Sequence, residues 1–419
     1  MFLHQIKRKN PKLIETAVSF HQQQRIPPNT FLFDLDLIYE NAKSLVWEAE
    51  KHRLQSYLMT KQYNRNPFVT AVALKQGFNG VVAVDTWGAK VTHRCGNRVS
   101  HIGHLNQIPK CEVKNALLMA PEVITVYSVQ EAQMVSEAAI GLGKVQDVLL
   151  RVYGKDDIFF MAQEGGIPEE ELTIAVEGIL KLKGVRIVGV TSFPCLNYNL
   201  TPDEEIKPTP NFHTILRAAD VLRDKFGIEV LQINAPGNNF TANYELLALH
   251  GATHVEPGQA LLGTTPSHSF AGKLPEKPAF VYVTEVSHKY ENQAYVFGGG
   301  FWVGAKLAGN MERTLVGSTP ALCMDNELVN VYKEGVIIDY HGFIQPGNRC
   351  KIGDTVIYGF YSQIQMTRSY TAVASGIHKG KPKLEGIFDH ASNLLDQHWC
   401  PVSIKDVKSK IGRLLDQYS

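Results

Sequence analysis

The chain has 419 residues, 42 basic and 41 acidic side chains and a formal net charge of +1. That balance lacks the basic excess of a nucleic-acid binder, and 44% apolar with 20% charged residues supports a globular core without staples. Six scattered cysteines (Cys95, Cys111, Cys195, Cys323, Cys350, Cys400) form no CxxC pair, which argues against a disulfide frame or a zinc site and for reduced thiols.

The opening MFLHQIKRKNPK holds no apolar run of signal-peptide length, and no stretch of about 18 apolar residues occurs anywhere, so a cytoplasmic chain away from the membrane is expected. Residues 1–28 read as a helical, polar extension. From about Thr30 to Gly263, short apolar runs alternate with helix-period segments. The runs are SYLMT (56–60), GVVAV (80–84), VSHIG (99–103), VITVY (123–127), DVLLRVY (147–153), VRIVGVTSF (185–193), VLQIN (230–234) and THVEP (253–257). They are β-branched and mostly apolar on both faces, as buried parallel strands are. Between them, Asn66-Pro67 caps one helix and Ser128 with Glu131 forms a capping box for another. Ile215, Leu216, Ala219, Leu222 and Phe226 form a stripe that Gly227 stops. Eight strand–helix alternations predict a (β/α)8 TIM-type barrel over 29–270.

After about Pro275 the period changes to two. FVYVTEVSHKYENQAYVFGGG reads as strand, turn and strand, and QPGNRCKIGDTVIYGFYSQIQMTRSYTAVASG reads the same way. An antiparallel β domain is therefore expected over 271–419, with Thr264–Lys277 as the linker.

In such a barrel, chemistry sits at the C-terminal strand ends. That rule selects Lys61, Asp85, His104, Arg151 with Tyr153, Ser192 with Phe193 and Cys195, Asn234 with Gly237 and Asn238, and Glu256 with Gly258. A lysine ending Tyr57–Thr60 enters the barrel mouth, where desolvation lowers its pKa and makes it a nucleophile able to form a Schiff base; the plainer reading is a lysine snorkelling to solvent. Glu256 can accept a hydrogen bond from a ring N–H at the barrel centre, or can be a rim acid paired with a lysine. Gly258-Gln259 and the turn Gly237, Asn238, Asn239 and Thr241 offer backbone N–H groups to a phosphate, though PGNN is also simply a good loop. Neither a Walker loop nor GxGxxG is present.

The combination of MTKQ at 59–62, GHLNQIP at 103–109, SFPCLNYN at 192–199, NAPG at 234–237 and EPGQALLGT at 256–264 resembles the fold-type III pyridoxal-phosphate (PLP) enzymes, the alanine racemase-like superfamily, and most of all its YhfX group. FDLDLIYENAKSL (33–45) and GVVAVDTWGAK (80–90) resemble the superfamily's segments before and in its barrel. The resemblance spans nearly the whole chain. It implies that Lys61 carries the Schiff base, that Glu256 faces the pyridine nitrogen, and that Gly237, Asn238, Asn239, Gly258 and Gln259 lie near the phosphate. His104, Ser192 and Asn234 would lie beside the cofactor.

Three positions depart from the superfamily's pattern. Alanine racemases have arginine where Glu256 stands, and glutamate is the choice of related decarboxylases and D-amino-acid lyases. Ser192 stands where a ring-stacking histidine is usual. Gln259 replaces an arginine of related decarboxylases. The segment Gly353–Gln363 also lacks the His-x-Cys ligands of zinc-dependent relatives, so no metal is expected.

The resemblance implies a PLP-dependent amino-acid racemase or epimerase, with a decarboxylase or D-amino-acid lyase as the alternative and a non-catalytic PLP-binding protein as a further rival. A barrel enzyme for phosphorylated sugars, without PLP, is the rival outside that class. Racemisation needs a second acid/base, for which Tyr340, Tyr361 and Cys195 are candidates. The substrate is expected to be a small-molecule amino acid, its side chain read by loops such as 154–166 and 194–211. A homodimer with active sites at its interface is implied by the same resemblance.

Overall fold

Asp34 ends β1 (Thr30–Asp34) and caps the helix Leu35–Lys51 by accepting from Leu37 N. The chain then enters a short extended run split at Tyr57 into β2 (Gln55–Ser56) and β3 (Leu58–Met59). Parallel strands follow at β4 (Val81–Ala83), β5 (Val99–Ile102), β6 (Val123–Val126) and β7 (Gln146–Tyr153). Next come the short β8 (Ile167–Pro168), then β9 (Val185–Thr191), β10 (Gln232–Asn234) and β11 (His254–Val255). The sheet order is β2-β11-β10-β9-β7-β6-β5-β4-β3, with β8 added beside β7. Because β2 and β3 belong to one run, the sheet closes. Tyr57 N bonds Val255 O on one side and Leu58 N bonds Gly80 O on the other. The TIM-type barrel expected from the eight apolar runs is thus the observed architecture. This computed structural model describes residues 2–298, 313–331, 340–364 and 368–418.

Helices wrap the barrel with the caps that the sequence supplies. Asn66 accepts from Phe68 N and Val69 N ahead of Pro67, and Gly227 ends the helix Pro210–Phe226 at φ +63°. At Ser128 the box is only half formed. Ser128 Oγ accepts from Glu131 N, but the Glu131 carboxylate takes the N–H of Tyr127 instead of that of Ser128.

The second sheet holds β12 (Phe280–Tyr290), β13 (Gln293–Phe297), β14 (Arg313–Gly317), β15 (Glu327–Asn330), β16 (His341–Gln345), β17 (Thr355–Tyr358), β18 (Tyr370–Ser375) and β19 (Lys383–Phe388). Its order is β13-β16-β15-β14-β17-β12-β1-β18-β19, and β13 also pairs β12. Six of these strands therefore form a closed antiparallel barrel that shares β12 with the β1-β18-β19 wing. The expected β12–β13 hairpin is present. The second expected strand pair is not a hairpin. β17 pairs β12 and β14, whereas β18 runs parallel to β1.

Three segments sit differently from their reading in sequence. Thr30–Asp34, expected with the first barrel, pairs in the second sheet, since a strand buried at all five positions does not itself select a sheet. The polar-looking N-terminus forms two helices, Phe2–Lys9 and Pro11–Gln22. Their Leu3, Ile6, Leu13, Ile14, Ala17, Val18 and Phe20 join a second core with Leu32, Val281, Val283 and Ile357. Thr264–Lys277 is no solvated linker either, because Thr265, Ser267, His268 and Glu276 are buried in it. The C-terminal helix Ile404–Asp416 returns to the first barrel and packs on Pro67–Leu74.

Candidate active site

The strand ends of the parallel barrel open on a cavity of about 500 Å³, a size usual for small-molecule sites. Lys61 sits where β3 gives way to a short 3-10 turn, Lys61–Tyr63. Its side chain lines the cavity. Burial lowers its pKa from 10.5 to about 8 against the opposing pull of Glu256. A sizeable fraction of neutral amine is therefore present near pH 7–8.

Glu256 follows β11 and is buried at the inner end of the same cavity. His101 Nδ1 lies 2.7 Å from its Oε1, and Asn234 Nδ2 donates to the same oxygen at 2.7 Å. His101 Nε2 is 2.6 Å from Thr125 Oγ1. His104 Nε2 stands 3.5 Å from Oε2, and that oxygen makes no hydrogen bond among the described residues. Burial alone would raise the pKa of this carboxyl. Electrostatic contact with His104 and His101, with the hydrogen bonds from His101 and Asn234, outweighs it and lowers the carboxyl to about 2. Burial, opposed by Glu256, lowers His104 to about 3, so its ring is neutral at working pH.

The donor atoms of His101, His104 and Glu256 lie within 4.8 Å of one another, a spacing that a divalent cation could bridge. Both His101 nitrogens, however, already face partners at hydrogen-bonding distance, Glu256 and Thr125. His101 is the functional residue that the sequence reading missed. Its signal is a polar residue within the apolar run VSHIG; its register partner on the next strand is Val123, and Thr125, two residues on, shares that face.

The turn after β10 is built by backbone conformation. Gly237 has φ +107° and Asn238 φ +51°, the left-handed region that favours Gly and Asn. Asn239 ties this turn to the end of β11: its Oδ1 accepts from Glu256 N, and its Nδ2 donates to Ala235 O and Gly237 O. Asn238 Nδ2 donates to Asn197 O. These amides brace loops, while Gly237, Asn238, Asn239, Gly258 and Gln259 all line the cavity. A Cβ on Gly258 would collide with the Gln62 amide. Thr241, expected in a phosphate turn, is engaged elsewhere. The buried Glu276 accepts from Thr241 N at 2.9 Å and faces its hydroxyl at 3.2 Å, so a carboxylate already occupies that helix N-terminus.

Tyr361 and Gln363, from the segment after β17, reach the cavity from the second domain. Ser362 Oγ donates to Gln62 O beside the lysine. Burial pushes the Tyr361 phenol well above 10, against the opposing contact with Gln259. The other two acid/base candidates lie elsewhere. Tyr340 is 65% exposed and sits under Arg368. Cys195 is buried behind the wall, where its Sγ bonds Ser192 O and burial raises its pKa. Ser192 is also outside the lining, 3.4 Å from Asn211 Nδ2. Phe193 faces the cavity in its place and meets the His104 ring edge-on at 5.8 Å. Arg151 is fully buried beside the cavity. It donates to the carbonyls of Gly165 and Gln163 and lies over the Tyr127 ring.

Comparison with known proteins matches residues 33–266 to the alanine racemase N-terminal domain and residues 281–384 to the YhfX-like C-terminal domain. YhfX of Escherichia coli (strain K12) is 38% identical over 395 residues, covering 94% of this chain and all of that one. Among solved structures, alanine racemase of Clostridium difficile 630 in complex with cycloserine superposes with TM-score 0.61 at 18% identity, covering 87% of this chain and 98% of that one. Diaminopimelate decarboxylase of M. jannaschii in complex with L-lysine superposes with TM-score 0.62 at 14% identity, covering 92% and 95%. At those identities the structural likeness shows the fold.

Proposed function

The chain belongs to the alanine racemase N-terminal-domain family, and from that premise we propose that it is a PLP-dependent enzyme acting at the α-carbon of an amino acid, as a racemase or epimerase. The observation that carries the reading is one cavity flanked by a lysine with a lowered pKa and a buried carboxylate held ionised. The residues fit the cofactor. Glu256 Oε2 is a buried acceptor without a hydrogen bond, matched to a ring N–H. Gly237, Asn238, Gly258 and Gln259 would hold the phosphate at the cavity wall, and His104 and Phe193 would flank the ring. When bound, PLP supplies the electron sink that acidifies the substrate's α-C–H.

Lys61 would hold the cofactor aldehyde through its amine, and as a free amine it is placed to take up or return a proton at the substrate α-carbon. Glu256 stays ionised throughout the working pH range and favours a proton on the ring nitrogen. His101 and Asn234 fix that carboxylate in place by saturating Oε1. Tyr361, kept protonated by burial, is the hydroxyl donor on our reading, because it lines the cavity whereas Tyr340 and Cys195 do not. We place the enzyme in a two-fold homodimer, as the family resemblance implies, and in the cytoplasm; among the described residues no helix is long and apolar enough to cross a membrane.

Glu256 also suits a decarboxylase or a D-amino-acid lyase, since a protonated ring serves those reactions equally. Incubation of the PLP-loaded protein with L- and D-amino acids in D2O separates the readings. Deuterium at the α-carbon with inversion is expected. Release of CO2 or of a keto acid without inversion would assign the alternative. A yellow protein that exchanges no α-proton would be a carrier of the cofactor, not an enzyme.

A further inference from the structure

The two ends of the cavity differ in polarity. Among the described residues, the acid and the amine that line it, Glu256 and Lys61, belong to the strand ends. The mouth is formed by Leu105, Phe160, Met161, Phe193, Tyr198 and Leu200, with the uncharged amide of Gln163 among them. Three of these are large apolar groups left open to solvent: Met161 at 92%, Leu200 at 52% and Phe160 at 40% exposure. Ring contacts make the wall continuous. Phe160 meets Tyr198 at 6.1 Å and Phe193 at 5.6 Å, and Phe193 meets His104 at 5.8 Å.

Lys155, Asp156, Glu164 and Asp203 of the two mouth loops do not line the cavity, and four other charged residues there are engaged elsewhere. Asp157 accepts from Thr214, Glu204 accepts from Leu200 N and Thr201 N, and Lys207 pairs with Glu205 at 2.9 Å. None of them lines the cavity. A substrate side chain lying along this wall gains from burying apolar surface. A carboxylate or ammonium there would lose water and meet no opposite charge among the described residues of that wall.

We propose that the substrate is an amino acid with an uncharged apolar or aromatic side chain larger than a methyl group, seated against Phe160, Phe193 and Leu200. This deepens the reading of the previous subsection and rests on it. Met161 and the leucines, unbranched or flexible at their tips, adapt that wall to more than one such side chain.

The test is α-proton exchange in D2O by the PLP-loaded protein with both enantiomers of leucine, phenylalanine, alanine, aspartate, glutamate, lysine and arginine. Leucine or phenylalanine is expected to exceed aspartate and lysine by about 10-fold or more in kcat/KM. Leu200→Lys should shift preference toward aspartate and glutamate. Charged amino acids turning over as well as leucine would overturn the inference while leaving the PLP reading intact. If no amino acid exchanges, the racemase reading fails, and binding still decides the inference. 4-Methylpentanoate and glutarate would then be titrated against the same protein by calorimetry. Preferential binding of 4-methylpentanoate, weakened in Phe160→Asp, supports an apolar pocket; equal or better binding of glutarate overturns it.

Discussion

At its inner end the cavity is walled by side chains that hold one another. Glu256 is gripped by His101 and Asn234, His101 is backed by Thr125, and Asn239 pins the neighbouring turn. At its outer end the wall includes Phe160, Met161 and Leu200, all exposed, with Phe160 meeting the rings of Phe193 and Tyr198. A pyridine ring is the same in every reaction, so a rigid charged constellation suits it. Substrate side chains differ, and an apolar loop surface can be altered without disturbing the charges beneath it. The contrast predicts large, all-or-none effects inside and small, selective effects outside.

The largest effect is expected at Lys61. Lys61→Ala should lower α-proton exchange by about 10²–10⁴-fold and abolish the Schiff-base absorption of bound PLP. Retention of that absorption would break the distinction between the two ends. Glu256→Gln comes next, with a loss on the order of 10²-fold in kcat and the loss of the stability that the ionised carboxylate contributes, read by exchange kinetics and thermal melting. His101→Ala acts through Glu256. It leaves a buried carboxylate short of one partner and should cost about 1–3 kcal/mol of stability, with a blue-shifted or weakened chromophore; His101→Gln should restore part of both.

The pH dependence has two separable parts. Exchange should rise as pH increases through about 8, because neutral Lys61 is the reactive form. Stability should change in the same sense at lower pH, falling in acid. Burial lowers His104 to about 3 and His21 and His254 to about 4. Below pH 6.5 the unfolded chain takes up protons that the folded chain refuses, so stability is lost as pH falls from 6.5 toward 3–4. Glu256 adds the same sign lower down: its contribution is complete above 4.5 and is lost as pH falls toward 2. Calorimetric melts across pH 3–8 check both. The smallest effect belongs to Tyr340→Phe, expected within about 0.5 kcal/mol in stability and well below the effect of Tyr361→Phe on exchange.

The barrel and the placement of Lys61 and Glu256 at its cavity were legible because a charged residue closing an apolar strand is driven to the strand end. Lys61 and Glu256 stand out in SYLMTK and THVEP for that reason. His101 was not legible as part of the site, because a histidine inside VSHIG looks like any strand residue until the barrel turns it toward Glu256. The N-terminal helices were misjudged as merely polar, since their apolar residues fall on one stripe that needs a second sheet to cover it. The partner of β1 was hidden too: TFLF is apolar on both faces, and either sheet would accept it. Thr241 looked like a phosphate ligand because its rival, Glu276, lies 35 residues away in sequence.

The central claim is that the Lys61 amine and the Glu256 carboxylate hold one PLP ring. Reduction of the PLP-loaded protein with borohydride, followed by peptide mass mapping, tests it most directly. The account predicts a phosphopyridoxyl group on Lys61 in the wild type, and in Glu256→Gln the same attachment with an altered absorption band before reduction. Label on another lysine, or none, would contradict it.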